Sequence, residues 1–299
     1  MKKVFSILSL FLIILLVSCG NKDAERVNKV SVIVPNGSPY LAIAGLLGND
    51  NVDIEVVSGP ANLQSVLVSG THDIVIAPVN LGANLYNKGN SQYQIAHILT
   101  TNNAYIVTKN GNNLQTVKDL KDEEVLGFGA TGIPGCLLKK IYNLNELDVE
   151  KIDFQYSSSA NVYSVFAGDT SNSKYALMSE PEISKLVIKD NIEIKTLDLC
   201  EELGVEVAQA CVYVKPGSDV NDVLKLIEDN VNQLNENPIA YADKVIALDR
   251  SFEAMGKDVI VRSIPLTNIV FKEAKSNKIV VETILSILGV SLPNENFYY

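Results

Sequence analysis

Short runs rich in strand-forming residues recur along the first third of the chain. They are KVSVIV (29–34), DIEVVS (53–58), THDIVIAP (71–78), QIAHIL (94–99) and AYIVTK (104–109). Within them Ile74–Ala77, short and with no polar face, predicts a strand buried on both sides, as in a parallel sheet. Between the first runs lie segments with helical spacing, 41–47, 63–68 and 80–86. After the loop NGNNLQT the alternation resumes. TVKDL reads as a short helix, EVLGFG (124–129), KIDFQYS (151–157), KYALMS (174–179), EIKTL (193–197) and AQACVYV (208–214) as strands. Helices are predicted over 136–142 and 160–167, and EPEISKLVIK opens another. Strands alternating with helices through short Gly/Pro loops indicate open, mainly parallel sheets flanked by helices.

The remainder, 216–299, is mostly helical in pattern: 220–234, 238–248 and 273–288, with one strand, NIVF (268–271). KPGSDVND offers Ser218 or Asp219 as the N-cap of the first of these helices. Two stretches share one plan. A helix ends at VSG before THDIVIAP, and another ends at FAG before KYALMSEP. The likeness is one of pattern, not identity.

The N-terminus has a different character. Lys2 and Lys3 precede an apolar run over 4–17, too short to span a bilayer comfortably, and LVSCG follows. Leu16-Val17-Ser18-Cys19 resembles a bacterial lipobox, in which the cysteine is diacylated and becomes the new N-terminus. The alternatives are a plain signal peptide or an anchor helix. On the lipobox reading, 1–18 is a lipoprotein signal peptide and 19–27 a polar tether. The chain then sits lipid-anchored on the extracytoplasmic face of the cell membrane, held through Cys19 in a palmitate-type linkage. No later stretch is long and apolar enough to span a bilayer.

Composition narrows the classes. With 299 residues, 47% of them hydrophobic, the chain can build two ordinary domains. A formal charge of −10 argues against nucleic acid as partner. Beyond Cys19 there are Cys136, Cys200 and Cys211, an odd set without metal spacing; a Cys200–Cys211 disulfide is one option and buried thiols the other. His72 and His97 have no acidic or cysteine cluster beside them, so no metal and no cofactor is expected. No GxSxG, HExxH or P-loop motif occurs, and no catalytic residue is assigned.

The predicted strands end in small and turn-forming residues. In open parallel sheets ligands bind beyond the carboxyl ends of the strands, where helix N-termini present free N–H groups. The candidate binding residues follow: Gly37, Ser38 and Pro39 in NGSP; Ser58, Gly59 and Pro60 in SGPAN; Pro78, Val79 and Asn80 in APVN. Across the second half they are Thr131, Gly132 and Ile133 in GATGIPG; Ser158, Ser159 and Asn161 in SSSAN; and Glu180 and Pro181 in SEPE. Gly and Ser let a ligand approach the backbone, and Ser and Asn add neutral donors and acceptors. Ordinary β–α turns use the same residues, and any one loop reads better that way; six such ends in two halves predict a crevice.

APVNLGANLYNKG, EPEISK and the closing LPNENFYY resemble the extracytoplasmic solute-binding proteins of ABC importers. The group is the nitrate/sulfonate/taurine-like one that also holds thiamine-precursor binders, and the likeness covers nearly the whole chain after Cys19. It implies a two-lobed type II periplasmic-binding-protein-like α/β fold, each lobe a mainly parallel sheet flanked by helices. It also implies two crossover hinge strands, mapped here to 104–109 and 208–214. Lobe 1 is then 28–107 plus 212–299, and lobe 2 is 108–211. IPLTNIVF resembles an Ile-Pro-Arg-x-Asn-like segment of that group, with Leu266 where a basic residue is common.

The function so implied is capture of a small-molecule ligand between the lobes by a monomer, and delivery to an ABC importer permease and its ATPase. Closing by hinge bending suits such a design. Two other readings remain: an enzyme on the same fold, with Glu180 as acid or base, and a surface sensor that does not transport. Arginines are few; Arg26 lies in the tether, which leaves Arg250 and Arg262, and Arg262 is the candidate anion contact. With no Trp, stacking would fall to Tyr40, Phe128, Tyr156 or Tyr163. A neutral or weakly charged heterocycle fits this set better than a strong anion.

Overall fold

The structure, a computed structural model, describes residues 29–109 and 111–299. Cys19, with the lipidation and signal-peptide expectations, lies outside the described residues. The chain opens with β1 (Val30–Pro35), α1 (Ser38–Ile43), β2 (Val52–Val57), α2 (Pro60–Ser69), β3 (Ile74–Pro78), α3 (Val79–Asn87) and β4 (Gln94–Thr100). It then passes to a second sheet with β5 (Tyr105–Lys109), β6 (Val125–Phe128), α4 (Ile133–Leu144), β7 (Ile152–Tyr156) and α5 (Ser159–Ala167). β8 (Tyr175–Met178), α6 (Glu182–Ile188), β9 (Ile194–Asp198) and α7 (Leu199–Leu203) complete that unit. It returns as β10 (Ala210–Val214), followed by α8 (Asn221–Glu236), α9 (Pro238–Leu248), α10 (Arg250–Met255), α11 (Lys257–Ser263), β11 (Ile269–Glu273) and α12 (Lys278–Ile287).

The first sheet runs β2-β1-β3-β10-β4-β11 and the second β7-β6-β8-β5-β9. β1 lies parallel to β2, from Val30 opposite Val52 to Pro35 opposite Val57, and parallel to β3. β10 is inserted antiparallel between β3 and β4. The second sheet repeats this order, with β6 parallel to β7 and β8, and β5 antiparallel between β8 and β9. The two-lobed α/β architecture that the family resemblance implied is therefore present. Each lobe's inserted strand is the first one laid down after the chain has crossed.

The segments mapped as hinge strands take a different part. Residues 105–109 sit wholly in the second sheet and 210–214 wholly in the first. The crossings are the short stretches beside them, where Thr101 and Ala208 form an antiparallel bridge. Asn102 there has φ of 46°, a left-handed conformation that asparagine tolerates. Its side chain accepts from the Val207 N–H at 2.9 Å.

The central strands β3 and β10 are buried on both faces, as their composition requires, while the edge strand β2 exposes Asp53 and Glu55 on one side. Ile74, Val75, Ile76 and Ala77 of β3 are fully buried. One face of the first sheet, with Val32, Val34, Ile76 and Val212, packs against α1, α8 and α9. The other, with Ile33, Val75, Cys211 and Tyr213, shares a core with α2, α3 and α12 that continues past the crossings to Leu137 and Ile141 of α4.

Several local expectations are corrected. The N-cap of α8 is Val220 without a side-chain bond, because Ser218 Oγ instead donates to Asp73 Oδ1 at 2.8 Å. That carboxylate also holds the Ser31 N–H and hydroxyl, a stronger attraction than a helix cap. Glu273 ends β11, and α12 starts only at Lys278. The helices α10 and α11 were not anticipated. Cys136, Cys200 and Cys211 are free thiols, the last two buried, so the disulfide option falls.

Candidate functional site

The loops after β1, β2 and β3 are shaped by their first residues. Gly37 and Gly59 take φ of 100° and 81°, conformations open to glycine, and turn the chain directly into α1 and α2. A proline follows in each first turn, where its missing N–H costs nothing. No side chain caps α2, α3 or α4. Side chains do cap α5 (Ser158), α7 (Asp198), α9 (Asn237) and α10 (Asp249). At α2, α3 and α4 the first turns beyond the sheet ends therefore keep N–H groups that no side chain accepts from.

The structure separates the candidates by what they have left to offer. The Asn80 and Thr131 side chains make no hydrogen bond among the described residues, and Thr131 is exposed. Gly132, next to Thr131 in the chain, is the N-cap of α4; Pro39 and Pro78 are half-buried and Pro60 is exposed. Ser58 Oγ accepts from Asn36 at 2.9 Å on the exposed rim. Ser158 caps α5, and its hydroxyl donates to Asn161 Oδ1 at 2.8 Å. Three candidates are committed elsewhere. Val79 is buried, gives its N–H to Gln209 O at 2.9 Å and accepts from the Tyr213 hydroxyl at 3.2 Å. Ile133 is core. Ser159 Oγ accepts the Ser179 N–H at 2.9 Å.

Ser38, Glu180 and Arg262 are brought together, and with them residues that the sequence did not single out. Asn103, in the first crossing and buried, accepts the Glu180 N–H at 2.8 Å. Its amide donates to Ser38 Oγ at 3.1 Å and to the Glu180 carbonyl at 3.2 Å. Its own carbonyl accepts from Ser179 Oγ at 2.8 Å. Glu180 Oε2 accepts the Ser184 N–H at 3.0 Å, capping α6, and Oε1 lies 3.3 Å from Arg262 Nη1. Arg262 also donates to Ser184 Oγ at 2.8 Å. Burial pushes the Glu180 carboxyl up to about 7; the Ser184 bonds and the Arg262 charge pull it back only in part. Pro181 is buried behind it.

Gln209 was also missed. It stands beside Val79 at the end of β3, and its buried amide nitrogen has no partner among the described residues. The aromatic candidates are mainly structural. Tyr40 packs on Phe252 at 5.1 Å and its hydroxyl bonds Asp249. Phe128 and Tyr156 are register partners at the ends of β6 and β7, both half-buried, and Tyr163 lies under Lys185. His72 pairs with Glu55 at 3.1 Å, and His97 stacks on Phe271 at 4.0 Å. Among the described residues, no three His, Cys, Asp or Glu side chains gather as a metal site. None of the helices there is long and apolar enough to cross a membrane.

Comparison with solved structures places this geometry. An ABC transporter from Parabacteroides distasonis is similar over 91% of this chain and 98% of its own, with a TM-score of 0.75 and 21% identity. The periplasmic aliphatic sulphonate binding protein of Escherichia coli is similar over 87% and 85%, with a TM-score of 0.66 and 13% identity. The alkanesulfonate-binding protein of Xanthomonas axonopodis pv. citri, bound to MOPS, is similar over 89% and 94%, with a TM-score of 0.63 and 16% identity. No family model and no curated protein matches the sequence. The fold is thus the two-lobed, type II periplasmic-binding arrangement.

Proposed function

We propose that this chain is a lipid-anchored, extracytoplasmic binding protein. It captures a small solute in the crevice between its lobes and delivers it to the permease and ATPase of an ABC importer. The observation that carries the reading is the set of unspent donors at sheet ends in both lobes: the Asn80 and Thr131 side chains and the uncapped turns of α2, α3 and α4. Two of the structural neighbours are sulfonate binders by name, which supports a small organic solute. The two charged candidates, Glu180 and Arg262, are paired with each other, and the Lys139 ammonium beside Thr131 donates to the Ala130 carbonyl. Neutral hydrogen-bonding groups therefore dominate, and an uncharged or weakly charged solute suits them.

The test is a thermal-shift screen of the purified full chain in detergent, against sulfonates, pyrimidines and other small heterocycles, followed by calorimetry on each hit. A saturating solute should raise the melting temperature. For the solute found, Asn80→Ala and Thr131→Ala should each weaken binding by about 5- to 150-fold, the loss of one buried hydrogen bond. If neither alters the dissociation constant, the solute binds elsewhere.

The buried carboxyl near 7 gives an enzyme reading one supporting observation, since such a group suits general acid–base work. Both its oxygens already have partners, however, and the hydroxyl beside it, Ser184 Oγ, is occupied by Arg262 at 2.8 Å. Hours of incubation with the solute should return it unaltered by mass spectrometry. A product formed by wild type and lost in Glu180→Gln overturns the binding reading.

A further inference from the structure

Helix α6 of the second lobe packs against α11 of the first, and Glu180 sits at the head of that seam. Arg262 and Ser38 reach it from the first lobe, Ser184 from the second and Asn103 from the crossing between them. The Glu180 side chain is 1% exposed while that of Arg262 is 31% exposed. One residue is thus held by both lobes and by the hinge, and parting α6 from α11 draws Arg262 and Ser38 away and admits water.

We propose that Glu180 is a proton-operated latch between the lobes: proton uptake favours the closed seam, and proton loss favours opening. The inference rests on reading the interlobe crevice as the solute cleft, whose closure it would regulate.

The direction follows from burial. In the seam the carboxyl titrates near 7; in water it returns towards the ordinary 4.5. A group raised in the closed state stabilises that state fully below the lower value, and this contribution is lost as the pH rises through the upper one. Between them the closed-to-open ratio falls by up to about tenfold per pH unit. Arg262 of α11 opposes the shift without cancelling it. Glu182 of α6 adds to it, although Lys185 partly neutralises Glu182 at 3.2 Å. Tyr105 of β5 feels the Glu180 charge; burial holds its phenol protonated, and it donates to the Leu266 carbonyl at 3.0 Å as a second tie between lobes. Ser38 and Asn103 contribute only neutral groups.

The experiment uses the full chain in detergent, without solute. A donor and an acceptor fluorophore are introduced through unnatural amino acids at exposed Gln64 of α2 and Ser164 of α5, one in each lobe. Transfer efficiency is followed from about pH 5 to about pH 8.5, with circular dichroism as the check on folding. Wild type should show one sigmoidal step centred near neutrality, and Glu180→Gln should flatten it. Arg262→Gln should move the midpoint to higher pH, because the opposing charge is gone. Should Glu180→Gln fail to fold, the Arg262→Gln midpoint decides alone. A flat profile in folded wild type, a Glu180→Gln chain that titrates like wild type, or an unmoved midpoint in Arg262→Gln overturns the latch. Because no solute enters the measurement, a failed solute screen leaves this result intact, and a flat profile leaves the binding reading intact.

Discussion

Asn103 carries more of the junction than its size suggests. Its side-chain oxygen holds the Glu180 N–H and its amide holds Ser38 and the Glu180 carbonyl, all away from water. Asn103→Leu keeps the branched outline of the side chain but strands those groups. Each buried group left unpaired costs about 1–3 kcal/mol, so a loss of about 2–4 kcal/mol is expected in urea unfolding monitored by circular dichroism. A loss under about 0.5 kcal/mol, the range of ordinary surface changes, would show that the network does not hold the lobes. Asp73 makes an acid-side prediction. Burial pushes its carboxyl up, but bonds from Ser31 and Ser218 outweigh that and hold it below its ordinary value. It therefore stabilises the fold above the usual carboxylate range, and this contribution is lost as the pH falls. Asp73→Asn should lower stability at neutral pH and flatten the acid limb of the stability–pH curve. Glu180 was legible from sequence, as a carboxylate placed before a proline at a helix start. Asn103 was not, because its partners lie 77 and 65 residues away and nothing local marks it.

Among elements, strands were the most legible. A run such as Ile74–Pro78 has no polar face to confuse, and the structure buries it. Helix starts were less so, because a cap is a competition between partners. Ser218 looked like a cap, yet the Asp73 carboxylate, 145 residues away in sequence, wins it. Residues 250–263 form two short helices that periodicity could not reveal, one of them capped by Asp249 and the two divided by Gly256. The β6–α4 turn yields a prediction from spacing. A Cβ on Gly135 would stand 2.3 Å from the Gly129 carbonyl oxygen and 2.9 Å from its carbon, both backbone atoms. Neither can swing aside as a side chain would. Gly135→Ala should cost about 1–3 kcal/mol as overpacking, read as a lower urea midpoint, and displace the loop that carries Thr131. An alanine chain of wild-type stability would mean that the turn yields more readily than its contacts imply.

On the scale of the molecule, the alternation of strands and helices announced two similar α/β lobes. It could not announce that each sheet takes its inserted strand from just beyond a crossing, because β10 pairs with β3 over 130 residues. That exchange makes the lobes one core on the hinge side while leaving the seam at Glu180 to close or part. The remaining prediction concerns where the molecule works. Leu16-Val17-Ser18-Cys19 proposes a diacylated cysteine, and two acyl chains suffice for stable anchoring where one gives only reversible binding. Wild type expressed in a bacterium should incorporate labelled palmitate and partition into the detergent-rich phase of Triton X-114. Cys19→Ala should lose the label and move to the aqueous phase or persist as unprocessed precursor. Its solute affinity should stay within about twofold of wild type, an energy difference of about 0.4 kcal/mol, since every crevice group described lies beyond Lys29. Equal labelling of the two chains would remove the anchor from the proposal without touching the crevice. Loss of affinity in a folded Cys19→Ala chain would mean that the N-terminal segment contributes to the crevice itself.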